Sequence, residues 1–364
     1  MKKTGLQILL QIALLMISGY VFAATYPGWL IQDTPMAFTP KQWEGEITAK
    51  WLLVNDTVDF LNARDDVTDG SHLFKDNSGN LNGGKLIFDI GLLPSVMFFY
   101  SGQYHEIVTE FGSSQTFGDV DSDHGIDTWS HEAGLRWNFL QIQNIGMAFA
   151  VEGAYLKHTS EDFAFSFLSV NSGSTNIQFS TPKEIKLSDL SDDGWRVRIV
   201  GSKMFGNSFC LNTWVGFESM NASSAISTSI AYAPIKENFD RKFDIDESQV
   251  RMGIGIIWQI TPRIPIELQY EYLNINRSEH STGASNTSDL ARYTNPNSLS
   301  PEDSNSILTG KIGYWITPNI NINVEGKFMT NQFLGIVPHY NNTVTSRFLD
   351  KAYGYIGIGI GYAF

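Results

Sequence analysis

The chain has 364 residues, of which 42% are hydrophobic, 13% are aromatic and only 17% are charged. Its formal net charge of −13 argues against binding to nucleic acid, or to anionic lipid through a basic patch. The single cysteine, Cys210, excludes an intramolecular disulfide scaffold. No linker or break in composition divides the chain, which favours one closed sheet.

The first residues predict a segment that is removed before folding. Lys2 and Lys3 precede an apolar run over residues 8–22, and small residues follow at positions 23 and 24. This pattern is typical of a secretory signal peptide, which we assign to residues 1–23. Residues 24–41 hold three prolines and no clean alternation, so we expect an irregular lead-in there. No later stretch of about 18 apolar residues remains, so no transmembrane helix is predicted.

From Trp43 onward, large apolar residues recur at every second position. In the first such stretch, Trp43, Ile47 and Trp51 share one parity while Glu44 and Lys50 take the other. Apolar residues with a period of two predict β-strands that have one apolar face. We predict about twelve antiparallel strands, with a range of ten to fourteen. Six long polar stretches alternate with tight turns, and the predicted long loops are residues 55–82, 107–126, 158–193, 220–248, 274–304 and 331–349. A stretch such as 177–187 could hide a further hairpin.

The last fourteen residues show the pattern most clearly. Large side chains occupy alternate positions and end in Tyr362 and Phe364, whereas Gly357, Gly359 and Gly361 stand between them. A closing strand with an aromatic end resembles the bacterial outer-membrane β-barrel class, whose final Phe acts as an assembly signal. The resemblance is to the porin-like class and identifies no specific family. It implies that Tyr362 and Phe364 are read by the barrel-assembly machinery.

We therefore predict an all-β, transmembrane, up-and-down barrel over residues 42–364. The resemblance places it in the outer membrane of a Gram-negative bacterium, with long loops outside the cell and both termini in the periplasm. Residues 24–41 become a periplasmic lead-in that could tuck into the barrel mouth. Lipid is the expected partner of the greasy face, and a monomer is expected. The alternative is a soluble, secreted all-β protein with the greasy faces in its core.

The opposite parity carries the charged residues that we predict to line the lumen. Nine acids and eight bases nearly balance, so most of the net negative charge falls in the loops. The predicted lining residues are Glu44, Glu46, Lys50, Lys85, Asp89, Glu132, Arg136, Glu152, Arg196, Arg198, Glu218, Arg251, Glu267, Glu271, Lys311, Glu325 and Lys327. They predict either a water-filled pore with a transverse field or a barrel filled by ion pairs. The inward glycines favour an open lumen, unless they only relieve strain in a curved sheet.

One acidic loop is a candidate cation site. Asp119, Asp121 and Asp123 alternate before Gly125, which resembles the opening of a calcium-binding loop. The glycine is one residue late, and Ser130 stands where a bidentate Glu is required. A solvated acidic loop is the alternative, and no other cofactor is expected.

Some outer-membrane barrels are lipid hydrolases with a His two residues before a Ser. The nearest approach is His280 followed directly by Ser281, within a loop-like stretch, so the spacing is wrong. We therefore predict that the chain is not an enzyme.

The leading functional hypothesis is passive diffusion of small polar solutes through the charged lumen. The alternatives are a non-conducting surface barrel that acts through acidic loops as an adhesin, receptor or structural element, and a lipid hydrolase at the rim.

Overall fold

The computed structural model describes residues 34–54, 80–110, 117–118, 123–172, 175–231, 236, 240–282, 303–331, 335–336, 338 and 353–364. Within these residues it contains fourteen β-strands and one short 3₁₀ helix, Gln143–Ile145. The strands are β1 (Gly45–Val54), β2 (Asn80–Leu93), β3 (Val96–Glu110), β4 (Phe117–Gly118), β5 (Asp123–Ile142), β6 (Met147–Ser160), β7 (Phe163–Ser172), β8 (Thr175–Phe205), β9 (Phe209–Thr228), β10 (Arg241–Thr261), β11 (Ile264–Thr282), β12 (Ser304–Trp315), β13 (Ile320–Met329) and β14 (Tyr353–Ala363).

Twelve of these strands form a closed antiparallel barrel. Leaving out β4 and β7, each strand pairs with the next one in the chain, and β14 pairs with β1 to close the sheet. Closure leaves no unpaired edge, which a sheet in hydrocarbon requires because lipid offers no hydrogen-bonding partner. The predicted fold and its twelve strands are thus confirmed. In the described part of the chain, no helix has the length and hydropathy needed to cross a bilayer.

The two faces of the barrel differ as the alternation predicts. On β14, Ile358 and Ile360 are 53% and 57% exposed, while Gly357, Gly359 and Gly361 are buried. The same contrast holds on β5, where Leu135 and Trp137 are exposed and Arg136 is buried. A belt of large apolar side chains therefore faces outward, and the charged parity faces the interior.

Exposed aromatic residues mark the two ends of this belt. Trp137 and Trp258 lie near the turn end, where tight turns join the strands, and Tyr155 and Trp195 lie near the opposite, loop end. Such girdles are typical of the two membrane interfaces. Phe364 completes the closure, since its backbone N–H and C=O both bond to Gly45 at 3.0 Å.

The strands are longer than the sequence predicted. Residues assigned to the loops 107–126, 158–193, 220–248 and 274–304 include the loop-end portions of several barrel strands, and β8 alone has 31 residues. In addition, residues 177–187 lie on β8 and pair with β7. The long loop therefore does contain a further hairpin, but this stretch is one of its two arms and not a hairpin by itself. These extensions carry polar residues on both faces, so they lack the apolar outer parity that identified the strands in the belt.

Candidate functional site

The interior of the barrel contains a network of arginine and glutamate side chains centred on Glu152. The sheet register sets Arg136 on β5 and Arg198 on β8 directly opposite Glu152 on β6. The Arg136 Nε and an Nη donate to one oxygen of Glu152 at 3.0 and 2.8 Å, and Arg198 Nε lies 2.6 Å from the other. Arg196 reaches the same carboxylate at 3.3 Å. Three guanidinium groups therefore converge on one carboxylate.

The network continues around the wall to β11. Arg196 also contacts Glu132 on β5, and it pairs in register with Glu218 on β9. Arg251 on β10 then bridges Glu218 and Glu271, at 2.8 and 3.0 Å. We call this set the arginine cluster; its members are Glu132, Arg136, Glu152, Arg196, Arg198, Glu218, Arg251 and Glu271. Each arginine guanidinium group either contacts two carboxylates or shares a carboxylate with another arginine. These contacts constrain the geometry of the cluster.

The facing part of the wall uses lysine instead. Lys50 on β1 pairs with Glu325 on β13, across the intervening strand β14. Lys311 stands opposite Glu267 in the β11–β12 register, with their charged atoms 3.9 Å apart. The remaining members come from β1, β2 and β13, and the lysine cluster is Glu46, Lys50, Lys85, Asp89, Glu267, Lys311, Glu325 and Lys327. Two like-charged pairs, Lys50 with Lys85 and Glu46 with Asp89, are direct cross-strand neighbours.

The glycines of β14 make this crossing contact possible. A methyl group at Gly359 would lie 2.8 Å from both Asn323 Oδ1 and Lys50 Cγ. At Gly361 it would lie 2.4 Å from the Asn321 amide nitrogen. The interpretation that these glycines leave the lumen open is therefore wrong, because neighbouring polar side chains occupy the space.

The charged interior is packed rather than open at this level. Glu152 and Glu325 are 1% and 2% exposed, and Lys50, Arg136 and Arg196 are buried as well. Very little of their surface is exposed, and the opposite charges pair with one another. Burial on this scale matches the second of the two predicted lumen states, in which ion pairs fill the barrel.

A segment preceding β1 crosses the interior on the turn side of the ions. We call residues 34–40 the strap. Met36, Ala37 and Phe38 are 0–4% exposed and pack in one apolar cluster with inward residues of the wall, namely Ala148, Ala150, Val200, Met204, Cys210, Trp214 and Ile257. The strap, which is the described part of the lead-in before Lys41, therefore lies inside the barrel.

Polar contacts fix the strap to opposite walls. The Thr34 hydroxyl donates to Glu267 on β11, and the Ala37 N–H donates to Ser202 Oγ on β8 at 2.7 Å. From β5, Asn138 Nδ2 donates to the Ala37 carbonyl at 3.0 Å. These contacts satisfy backbone groups that burial would otherwise leave without partners. Sequence reasoning named none of these strap contacts, because a segment without periodicity gives no sign of what it packs against.

The other predicted site residues fall outside these clusters. Glu44 pairs with Lys41 at 3.1 Å at the turn end, with its side chain 46% exposed. Asp119 and Asp121 lie outside the described residues. Asp123 begins β5, but its side chain is not among those described. The described residues contain no group of three or more His, Cys, Asp or Glu that could hold a metal ion. The calcium site in the acidic loop therefore stays a prediction.

The hydrolase candidates lie near the end of β11. His280 and Ser281 are in the last residues of that strand, and their side chains are outside the described part of the structure. The serine-hydrolase alternative thus gains no geometric support. Tyr362 and Phe364 both lie on the outer face at the turn end, with ring centroids 6.4 Å apart. Their role as an assembly signal remains a prediction.

Comparison with known proteins gives matches at the level of structure alone. No family model matches the chain, and no curated protein sequence is significantly similar to it. A Pseudomonas aeruginosa FadL homologue aligns with a TM-score of 0.45 and 7% identity, over 95% of this chain and 99% of that one. An outer membrane channel from Pseudomonas putida F1 gives 0.44 and 8%, over 91% and 99%.

A third similar structure is the Pseudomonas putida toluene transporter TodX, with a TM-score of 0.43 and 8% identity over 90% of each chain. At these values the matches do not inform function. The closed twelve-stranded sheet, its apolar outer belt and its polar interior are instead what place the chain in the outer-membrane β-barrel class.

Proposed function

We propose that the chain is an outer-membrane channel for small polar solutes, held closed in this conformation by the strap and the ion pairs. The observation that carries the proposal is the charged interior within a lipid-facing barrel. Ionisable groups at membrane depth are expensive, and they typically mark ion or solute pathways. A filler of matched apolar residues would stabilise the barrel equally well or better. The charges therefore favour a path for polar molecules over a purely structural role.

In this proposal the strap is the turn-end gate. It crosses the interior from β11 to β5, and among the described residues a few hydrogen bonds and one apolar cluster hold it. Displacing it would leave the pairs of the arginine and lysine clusters in contact with water, which weakens their mutual attraction. The barrel would lie in the outer membrane, with its long loops outside the cell and its termini in the periplasm.

A liposome-swelling assay with a small neutral sugar tests this function. Met36→Asp places a carboxylate in the apolar strap cluster, which disfavours the seated strap. Thr39→Asp adds the same charge at a half-buried position of the same segment and is the matched control. We expect slow swelling for the native chain and the control, and faster swelling for Met36→Asp. If none of the three proteins caused the liposomes to swell, the channel would be contradicted.

The lone cysteine provides an independent readout of the strap. Cys210 is 0% exposed and belongs to the apolar cluster that the strap completes. A soluble maleimide should therefore react slowly with the native barrel and faster with Met36→Asp. Fast labelling without swelling would show that the strap moves but that no path opens.

A non-conducting surface barrel is the second candidate. The observation that favours it is the burial of the ions, since Glu152 and Glu218 are 1% and 2% exposed. That candidate predicts no swelling for any strap variant, even where Cys210 becomes reactive.

A further inference from the structure

The acidic and basic side chains of the barrel interior differ in how much of their surface is exposed. Most carboxylates of the arginine and lysine clusters are buried; Asp89, Glu152, Glu218, Glu267, Glu271 and Glu325 are all 1–6% exposed. Several bases keep more accessible surface. The side chains of Arg198 and Arg251 are each 13% exposed, and Lys85 and Lys327 are half-buried. These four bases are therefore more accessible than most of the acids.

Two acids of the clusters are exceptions. Glu132 is 26% exposed at its side chain and contacts Arg196. Glu46 is half-buried on the turn side, where it accepts hydrogen bonds from Thr48 at 2.8 Å and Asn321 at 3.2 Å. In the described middle of the barrel, four partly accessible cations thus face one partly accessible carboxylate of the two clusters.

Three of these cations lie on nearby parts of the wall. Lys85 stands directly opposite Lys50, whose partner Glu325 is two residues from Lys327 on the same face of β13. Arg251 pairs with Glu271 on β11, and only β12 separates β11 from β13. The positive charges of Lys85 and Arg251 both repel that of Lys327.

The Nζ of Lys327 lies 5.9 Å from the centre of the Tyr355 ring. The His105 ring approaches the same tyrosine, with centroids 6.4 Å apart. Arg198 on β8 and Arg251 on β10 both stand in register with Gly216 of β9, the strand between them. Bases from β2, β8, β10 and β13 therefore face one region of the lumen.

We propose that Lys85, Lys327, Arg198 and Arg251 form an anion-binding subsite in the lumen, suited to small solutes that carry a carboxylate or phosphate group. An anion there would relieve the repulsion between the lysines and Arg251 and would accept charge-assisted hydrogen bonds. Arg251 and Arg198 are held by Glu218, Glu271 and Glu152, so their donors are positioned in advance. As a statement about what the channel carries, the inference rests on the proposed function.

Binding of inorganic phosphate to the refolded barrel tests the subsite without conduction. Titration calorimetry should detect saturable binding to the native protein. Lys85→Gln combined with Lys327→Gln should weaken it by about tenfold for each lysine, the loss typical of one charge-assisted hydrogen bond. Lys157→Gln, on the exposed outer face of β6, is the matched control and should bind as the native chain does. Absence of native binding, or equal loss in the control, would overturn the subsite.

Reversal potentials across a potassium chloride gradient separate this inference from the proposed function. With Met36→Asp as the open background, we expect preference for chloride that the two lysine substitutions reduce. A conducting barrel without anion preference or phosphate binding refutes the subsite and leaves the channel. Phosphate binding by a barrel that never conducts refutes the channel and leaves the subsite.

Discussion

The arginine and lysine clusters use opposite-charge pairing in different ways. In the arginine cluster, Glu152 receives three guanidinium groups and Arg251 bridges two carboxylates, so each contact constrains its neighbours. In the lysine cluster, Lys50 and Lys311 meet their carboxylates as point charges, beside a strand of glycines. A planar fork fixes geometry, whereas an ammonium group on a flexible stem does not. We infer that the arginine side is the rigid wall and that the lysine side adapts.

The largest effect is expected from breaking the centre of the arginine cluster. Glu152→Gln leaves Arg136, Arg196 and Arg198 buried with one carboxylate fewer. The free energy of unfolding should fall by ~3–5 kcal/mol, the usual cost of an uncompensated buried charge. Urea titration of the barrel in lipid vesicles, followed by tryptophan fluorescence, measures it. Glu44→Gln breaks only the exposed pair with Lys41 and should change stability by less than ~0.5 kcal/mol. Equal losses would contradict the rigid wall.

A smaller loss is expected for the corresponding change in the lysine cluster. Both substitutions keep an amide oxygen as an acceptor, but Glu325→Gln weakens the pair with Lys50, whereas Glu152→Gln weakens pairs with three arginines. The expected cost is ~2 kcal/mol in the same titration. If Glu325→Gln destabilised the barrel more than Glu152→Gln, the assignment of the rigid and adaptable sides would be reversed.

The glycines of β14 provide the smallest test. In Gly359→Ala the new methyl group must displace Lys50 and Asn323, and we expect a loss of ~1 kcal/mol from overpacking. Gly326→Ala, on the outer parity of β13, is the control because no atom lies within 4 Å of its added methyl group. Thermal unfolding should separate the two variants. An unaffected Gly359→Ala would show that the lysine side has room that packing does not reveal.

Sequence periodicity predicted the barrel because lipid imposes a simple rule on its outer face. Every second residue of a spanning strand must be apolar, so Ile358, Ile360 and Tyr362 identified both the strand and its orientation. The rule ends where the wall leaves the membrane. On β10, Asp244 and Asp246 alternate with the buried Ile245, but both faces of a strand in water can be polar, so the stretch was assigned to a loop.

The state of the lumen could not be predicted in the same way. The alternation placed Lys50, Glu325 and Glu152 inside the barrel, but it did not show which charges pair. That depends on the register between strands, and for Lys50 with Glu325 on a contact that crosses β14. The strap contacts were hidden for a related reason, since Thr34 meets Glu267 across 233 positions of sequence.

Single-channel recording of the refolded protein tests most directly the claim that the strap and the ion pairs close a barrel built to conduct. We predict rare, brief openings for the native chain and sustained openings of uniform size for Met36→Asp, with Thr39→Asp resembling the native chain. Sustained openings of the native barrel would contradict the closed lumen. A Met36→Asp barrel that exposes Cys210 but never conducts would contradict the channel itself.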